Sequence, residues 1–198
     1  MAQRENKMNE LILASGSPRR KTLLENYGFK ITVVKPEFDE ALVKADMPCE
    51  LVTKLALAKN RRVRGSYPNG VLILSADTVV ALGNRVLGKP RDEHEARGML
   101  ELLSDNTHMV FTGVCVSDGA LESVFYECSD VTFYKLSASQ IERYIATGSP
   151  FDKAGGYGIQ DDMGIGFVKN VSGELSNVIG LPMGKTIGEI EKLQGVRK

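Results

Sequence analysis

The chain has 198 residues, 42% of them hydrophobic and 25% charged, with a formal net charge of zero at pH 7. These are ordinary globular values: they argue against disorder, and the length suffices for one large domain, or a domain with two lobes, around a real core. A balanced charge argues against a nucleic-acid coat or a binder of acidic membranes, so any basic site must be local.

Leu11-Ile12-Leu13 has the length and polarity of a buried first strand. Ser17 then reads as a helix N-cap and Pro18 as the first helical residue, where a missing N–H costs nothing. Leu23, Leu24 and Tyr27 give this helix an apolar side, and Gly28 ends it. Its charge runs against stability, because Arg19, Arg20 and Lys21 occupy a first turn where the helix dipole favours anions. Serine hydroxyls, backbone N–H groups and two guanidiniums at one helix start make an anion site, most naturally for phosphates. A solvated basic turn is the alternative.

Residues 31–34 read as a second strand, followed by an acidic loop from Pro36 to Glu40. From Glu50 to about Arg64 the pattern is helical, with Leu51, Val52, Leu55, Ala56 and Ala58 apolar. Lys59 is in register with that stripe; on geometry alone it snorkels past the core edge, or it points into a cleft. After turn chemistry at 66–70, residues 71–74 read as a buried strand that continues through Ser75-Ala76-Asp77-Thr78 into 79–82. Asp77 thus stands between two apolar segments, where a carboxylate needs cations, donors or a metal. The alternative is an exposed bulge between two short strands. Gly83-Asn84 makes a two-residue hairpin turn into 85–87, which delivers Lys89 on the stiff corner Gly88-Lys89-Pro90.

Asp92 and Glu95 have near capping-box spacing and open a helix with Ala96, Met99, Leu100 and Leu103 on one face. Residues 107–117 are strand-like, Asp118-Gly119 turns the chain, and a longer strand runs through Val131, Phe133 and Leu136. Ser137 and Gln140 form a capping box for a short helix that Gly148 stops. In the run Asp152-Lys153-Ala154-Gly155-Gly156-Tyr157-Gly158-Ile159-Gln160 the glycines let backbone approach a ligand closely, and the interleaved side chains set it apart from a linker. A hairpin through Ser172-Gly173, the run 177–181 and a last amphipathic helix started by Pro182 close the chain.

Cys49, Cys115 and Cys128 lack metal spacing and fit reduced thiols better than a disulfide frame, with a Cys115–Cys128 bridge as the alternative. His94 and His108 are too few for a multi-histidine zinc site. The first ten residues are polar and no apolar run is long enough to span a membrane. The expectation is a soluble cytoplasmic protein with a flexible polar stretch 1–10 and a single domain over 11–198.

Stock nucleotide and nucleophile motifs fail. No GxGxxG follows the first strand, Gly184-Lys185-Thr186 lacks the glycine spacing of a phosphate loop, and no GxSxG is present. What remains is a set of cations (Arg19, Arg20, Lys59, Lys89, Lys153) and a smaller set of acids (Glu40, Asp77), mostly in loops or at element ends. That mix suits phosphoryl chemistry on a polyphosphate, with cations offsetting oxygen charge and acids holding a divalent metal and orienting water.

In order and spacing, the segments Leu13-Ala-Ser-Gly-Ser-Pro-Arg-Arg20, Ser75-Ala-Asp-Thr-Val-Val80, Gly88-Lys-Pro90, Thr112-Gly113-Val114, Asp152 to Gln160 and Gly180-Leu-Pro182 resemble the Maf-like nucleoside triphosphate pyrophosphatases over nearly the whole chain. The resemblance implies an elongated α/β fold, a twisted mixed sheet with flanking helices and two lobes around a nucleotide cleft, similar to the inosine triphosphate pyrophosphatases. It implies hydrolysis between the α and β phosphates to a nucleoside monophosphate and pyrophosphate, with Mg²⁺, Mn²⁺ or Co²⁺ as cofactor, in a homodimer. It makes Asp77 the general base, places a metal near Glu40 and Asp77, and matches Ser15, Arg20, Glu40, Lys59, Lys89 and Gln160 to cleft positions. Lys59 is then expected to point into the cleft, and Lys153 joins the substrate-binding cations.

Arg19, Thr78 and Gln160 match the members acting on dTTP and UTP, and the Gln160 amide can both donate to and accept from the edge of uracil or thymine. The alternatives are a preference for 7-methyl-GTP or for inosine or xanthosine triphosphate, and a nucleotide-dependent regulator of cell division or septum formation. Three departures from the family pattern stand out: Asp105 after Ser104 where glycine is usual, Ser149 in place of glutamate, and Asp161-Asp162 directly after Gln160.

Overall fold

In a computed structural model, which describes residues 10–164 and 166–195 and leaves the side chains of 162–164 aside, the first apolar run forms β1 (Glu10–Leu13) with Leu11 and Leu13 buried. The polar stretch ahead of it lies outside the described residues, except for Glu10, which opens the strand. Ser17 caps α1 (Pro18–Asn26), its hydroxyl accepting from the Arg20 N–H. β2 (Lys30–Val33) runs parallel to β1, and β3 (Ile73–Leu82) pairs parallel with its other side. Parallel neighbours need crossovers, which α1 and α2 (Pro48–Arg64) supply. α2 begins two residues ahead of the sequence expectation because Pro48 takes a first-turn position, where no N–H is needed.

β3 is one unbroken strand of ten residues, so Asp77 lies at its centre and the bulge alternative falls. β4 (Arg85–Leu87) returns antiparallel through the two-residue turn, with Leu82 opposite Arg85. In α3 (Glu93–Leu103) the Asp92 side chain caps the Glu95 N–H, but the Glu95 carboxylate turns to the Arg91 backbone, so only half of a capping box forms. β5 (Thr107–Ser117) and β6 (Glu122–Phe133) follow. β6 ends at Phe133, before Leu136, whose N–H donates to Ser104 Oγ while its side chain stays in the core. Both halves of the Ser137–Gln140 capping box form at the start of α4 (Ala138–Ile145).

The hairpin expected at Ser172-Gly173 does not form. β7 (Val168–Ser172) itself pairs antiparallel with β6, and the chain then enters the short α5 (Leu175–Ile179) and α6 (Met183–Gly195) instead of a returning strand. The cause is Asn177, fully buried, whose amide donates to Val110 O and Ser129 Oγ, both at 3.0 Å, and holds the segment as a helical turn. Among the described residues the strands form one mixed sheet in the order β2-β1-β3-β5-β6-β7, with β4 beside β3. No described helix is long and apolar enough to cross a membrane. All three cysteines are free thiols, which removes the disulfide alternative, and burial pushes Cys115 up to about 12.

The chain divides into two compact units. The first comprises, of the described residues, 10–77, 112–127 and 180–195; the second comprises 78–111 and 128–179. Leu11, Leu13, Leu24, Leu74, Val114, Val116, Leu181 and Ile190 form the core of the first. Its β5 segment lies against the α2 backbone at Gly113, where a Cβ would fall 2.3 Å from the Val52 carbonyl. The second unit packs Val80, Leu100, Leu103, Val131 and Tyr144 around an aromatic group in which His108 stands edge-on to Phe133 and Tyr157. His108 Nε2 bonds Tyr157 Oη at 2.7 Å, Nδ1 has no hydrogen-bond partner among the described residues, and burial lowers its pKa to about 4.

Two outcomes follow from this packing. Gly113→Ala forces α2 off β5 and should lower stability by about 1–3 kcal/mol in urea denaturation. His108 is neutral in the fold down to about 4 but takes up a proton below about 6.5 once unfolded. Stability present above pH 6.5 should therefore be lost as pH falls towards 4, at up to about 1.4 kcal/mol per pH unit. His108→Phe, which cannot titrate, should flatten that part of the stability profile; an unchanged slope would assign it to other groups.

Candidate active site

The helix start picked out by its charge is not a solvated turn, since Arg20 is buried. Its Nε donates to Gly180 O at 2.7 Å and its Nη1 to Ser15 Oγ at 3.1 Å, while Ser15 Oγ also accepts from the Ser17 N–H at 3.2 Å. A cation at a helix N-terminus is thus offset by a carbonyl and a hydroxyl brought from elsewhere in the unit. Burial lowers the Arg20 pKa, and the nearby charges of Asp77 and Glu40 oppose that shift. Arg19 is half-buried beside it.

Lys59 is 8% exposed, which overturns the snorkelling alternative. Its Nζ lies 3.0 Å from Glu40 Oε1 and donates to Asp77 Oδ1, so two carboxylates converge on one ammonium. The partial burial of Asp77 within β3 is offset by this cation. Glu40 sits in a single 3-10 turn (Glu40–Leu42) capped by the Asp39 side chain, and its own side chain is largely exposed. The part of α2 carrying Lys59 is fastened to the sheet by polar groups. Asn60 Nδ2 donates to Ile73 O at 3.1 Å and Cys115 O at 3.2 Å, Ser117 Oγ donates to Asn60 Oδ1, and Ser75 Oγ donates to Ala56 O. Sequence reasoning passed over Asn60. Its signal was a carboxamide on the buried stripe, one turn after Ala56, a place where an unpartnered amide would be costly.

Thr78, Lys89, Lys153 and Gln160 belong to the second unit. Thr78 follows Asp77 on β3 and is half-buried, while Lys89 and Gln160 are exposed. Gly88 O accepts from the Gly155 N–H at 2.9 Å, which joins the Lys89 corner to the glycine-rich run. Lys153, by contrast, is buried, and its Nζ donates to Ser149 O at 2.7 Å, Ser149 Oγ at 2.8 Å and Asp152 Oδ1 at 2.7 Å, with Asp161 Oδ2 at 3.3 Å. The glycines here have internal causes. Gly155 has φ +69 and its Cβ would meet the Val80 side chain at 3.0 Å, and a Cβ at Gly158 would meet Lys153 Cε at 2.5 Å.

The departures from the family pattern are explained locally. Ser149 Oγ donates to Asp161 Oδ2 at 2.6 Å and Tyr144 Oη donates to the same atom at 2.9 Å. Burial opposes ionisation of Asp161, but Ser149, Tyr144 and Lys153 outweigh it and hold the carboxyl below its ordinary value. Asp105 takes a left-handed backbone with φ 58, the geometry glycine adopts without strain. The Asp162 side chain lies outside the described residues.

Glu40 and Asp77 fit a divalent cation in chemistry, since two hard carboxylates already reach one positive charge. Among the described residues no group of three or more His, Cys, Asp or Glu is assembled for a metal. Two carboxylates with the remaining positions left to water and phosphate is how Mg²⁺ is commonly held at phosphoryl-transfer sites.

A family model described as Maf-like protein matches residues 10–193. The dTTP/UTP pyrophosphatase of Symbiobacterium thermophilum is 48% identical over 180 residues, covering 91% of this chain and 92% of the relative. That of Bacillus pumilus is 45% identical over 184 residues, covering 93% and 96%. Among solved structures, the Staphylococcus aureus Ham1 protein aligns with a TM-score of 0.44 at 13% identity, over 63% of this chain and 71% of that one. A nucleoside-triphosphatase (dITP/XTP pyrophosphatase) from Mycobacterium abscessus aligns with a TM-score of 0.43 at 16% identity, over 95% and 96%.

Arg20→Lys keeps the charge at the helix start but loses the fork that serves Gly180 O and Ser15 Oγ together. It should cost about 1–3 kcal/mol of stability in chemical denaturation. Wild-type stability in that variant would mean that the fork does not tether the helix start.

Proposed function

The chain belongs to the Maf-like family, and from that premise we propose that it hydrolyses dTTP and UTP to the nucleoside monophosphate and pyrophosphate. Relatives 41–48% identical over most of the chain carry the name dTTP/UTP pyrophosphatase. The observation that carries the chemistry is the convergence of Glu40, Lys59 and Asp77 within the unit that also holds Arg20 at the start of α1.

In this reading the positive end of α1 and the Arg20 guanidinium bind phosphate oxygens. Asp77 accepts a proton from water as the water oxygen bonds to the α phosphorus and the bond to the pyrophosphate oxygen breaks. Lys59 stabilises the charge that builds on the phosphate oxygens. Glu40 and Asp77 would hold a divalent cation, which when bound supplies charge neutralisation at the triphosphate. Lys89, and Gln160 with its donor and acceptor on one amide, are proposed as further substrate contacts, and Arg19 and Thr78 as selectivity residues. Lys153 serves that role only through a change of partners, since its ammonium is engaged within its own loop. Three free thiols support a reducing compartment, the cytoplasm; the homodimer rests on the resemblance.

The test is pyrophosphate release from a panel of nucleoside triphosphates with Mg²⁺ or Mn²⁺. dTTP and UTP should be cleaved best, and Asp77→Asn should lose about 10²–10⁴-fold in kcat while still binding nucleotide. A preference for 7-methyl-GTP or inosine triphosphate would overturn the pyrimidine reading. Retained turnover in Asp77→Asn would move the base elsewhere.

A further inference from the structure

We propose that Lys59 is an internal counter-ion standing where a divalent cation would bind, so that the nucleotide-free protein excludes metal and the cation enters only with the triphosphate. This rests on the proposed Glu40–Asp77 metal site and concerns what controls its filling.

The geometry is that of a place already taken. Lys59 Nζ is within ion-pair distance of both carboxylates, and the Lys59 and Asp77 side chains are only 10% and 14% exposed. Two carboxylates carry two negative charges; Lys59 offsets one, and Arg20 is near enough for its pKa to respond to both acids. Little net negative charge is left to draw a dication out of water. Nor does the described protein assemble a third acidic, histidine or cysteine ligand to compensate.

A triphosphate changes this balance. Its oxygens are alternative partners for an ammonium on a flexible four-carbon stem, and a lysine that turns to phosphate leaves Glu40 and Asp77 to the cation. The exchange needs no backbone movement, because α2 on either side of Lys59 stays fastened through Ala56 and Asn60. A merely structural ion pair would be indifferent to nucleotide.

The probe is Mn²⁺, followed by the loss of the free-ion electron paramagnetic resonance signal. Wild-type protein alone should take up little Mn²⁺. With a non-hydrolysable α,β-imido dTTP analogue it should take up more than the analogue does alone. Lys59→Met should bind Mn²⁺ without nucleotide at least about tenfold more tightly than wild type, because the two carboxylates then lack the ammonium that lies between them. Adding Glu40→Gln to that variant should reverse the gain. Circular dichroism checks folding, and Lys59→Gln replaces Lys59→Met if the latter does not fold. Equal Mn²⁺ affinity of wild type and the Lys59 variant without nucleotide, with analogue-dependent uptake intact, overturns the counter-ion role and leaves the metal site standing. Absence of uptake beyond the analogue alone in every protein overturns the metal site itself.

Discussion

Burying an ammonium among apolar neighbours is costly unless opposite charge meets it, and Lys59 on the inner stripe of α2 meets two carboxylates. Asp77 is in the converse position at the centre of β3. Each is tolerated because of the other, yet such pairs add little to stability compared with well-packed apolar residues. Stability therefore does not account for the arrangement. In the proposed function a polyphosphate would account for it, since its oxygens would offer partners to the lysine and a cation bound with it would occupy the acids.

Reaching that arrangement requires α2 to lie close on the sheet. Gly113 removes the side chain that would hold the helix backbone away from β5. Asn60, Ser75 and Ser117 then convert the close approach into fixed register, because their hydrogen bonds run between α2 and the strands at the turn that carries Lys59. Small and polar residues that would weaken an ordinary core thus set the height of Lys59 over β3. The proposed chemistry inherits its geometry from them, even though none of them bears a charge.

Most of the elements were legible because their signals are local. The Ser17 cap, the Gly83-Asn84 turn and the Ser137–Gln140 box depend on residues within a few positions of one another, and each forms. Lys59 was ambiguous because snorkelling and inward burial share one helical register; only the acids 18 positions later and in the preceding loop decide between them. The missing hairpin after Ser172 failed for the same kind of reason, since Asn177 finds its acceptors on Val110 and Ser129, far away in sequence. Of the site, the acids and cations were visible as residue types; their partners were not, because a pairing of 18 or 160 positions leaves no periodic trace.

The cation count read from the sequence overstates the positive charge on offer. Arg20 already serves a carbonyl and a hydroxyl, Lys59 serves two carboxylates, and Lys153 is held by Ser149, Asp152 and Asp161. In the proposed function a ligand that engages Arg20 and Lys59 would exchange partners rather than meet bare charge, so part of its Coulombic gain would be offset by the contacts it replaces. Loose anions such as single phosphates cannot satisfy several groups at once and gain least from the exchange. A triphosphate, with many oxygens on one chain, can replace several partners in one binding event. On the proposed function, selectivity for a polyphosphate over simpler anions would then follow from how Arg20 and Lys59 are paired beforehand, not from how many cations there are.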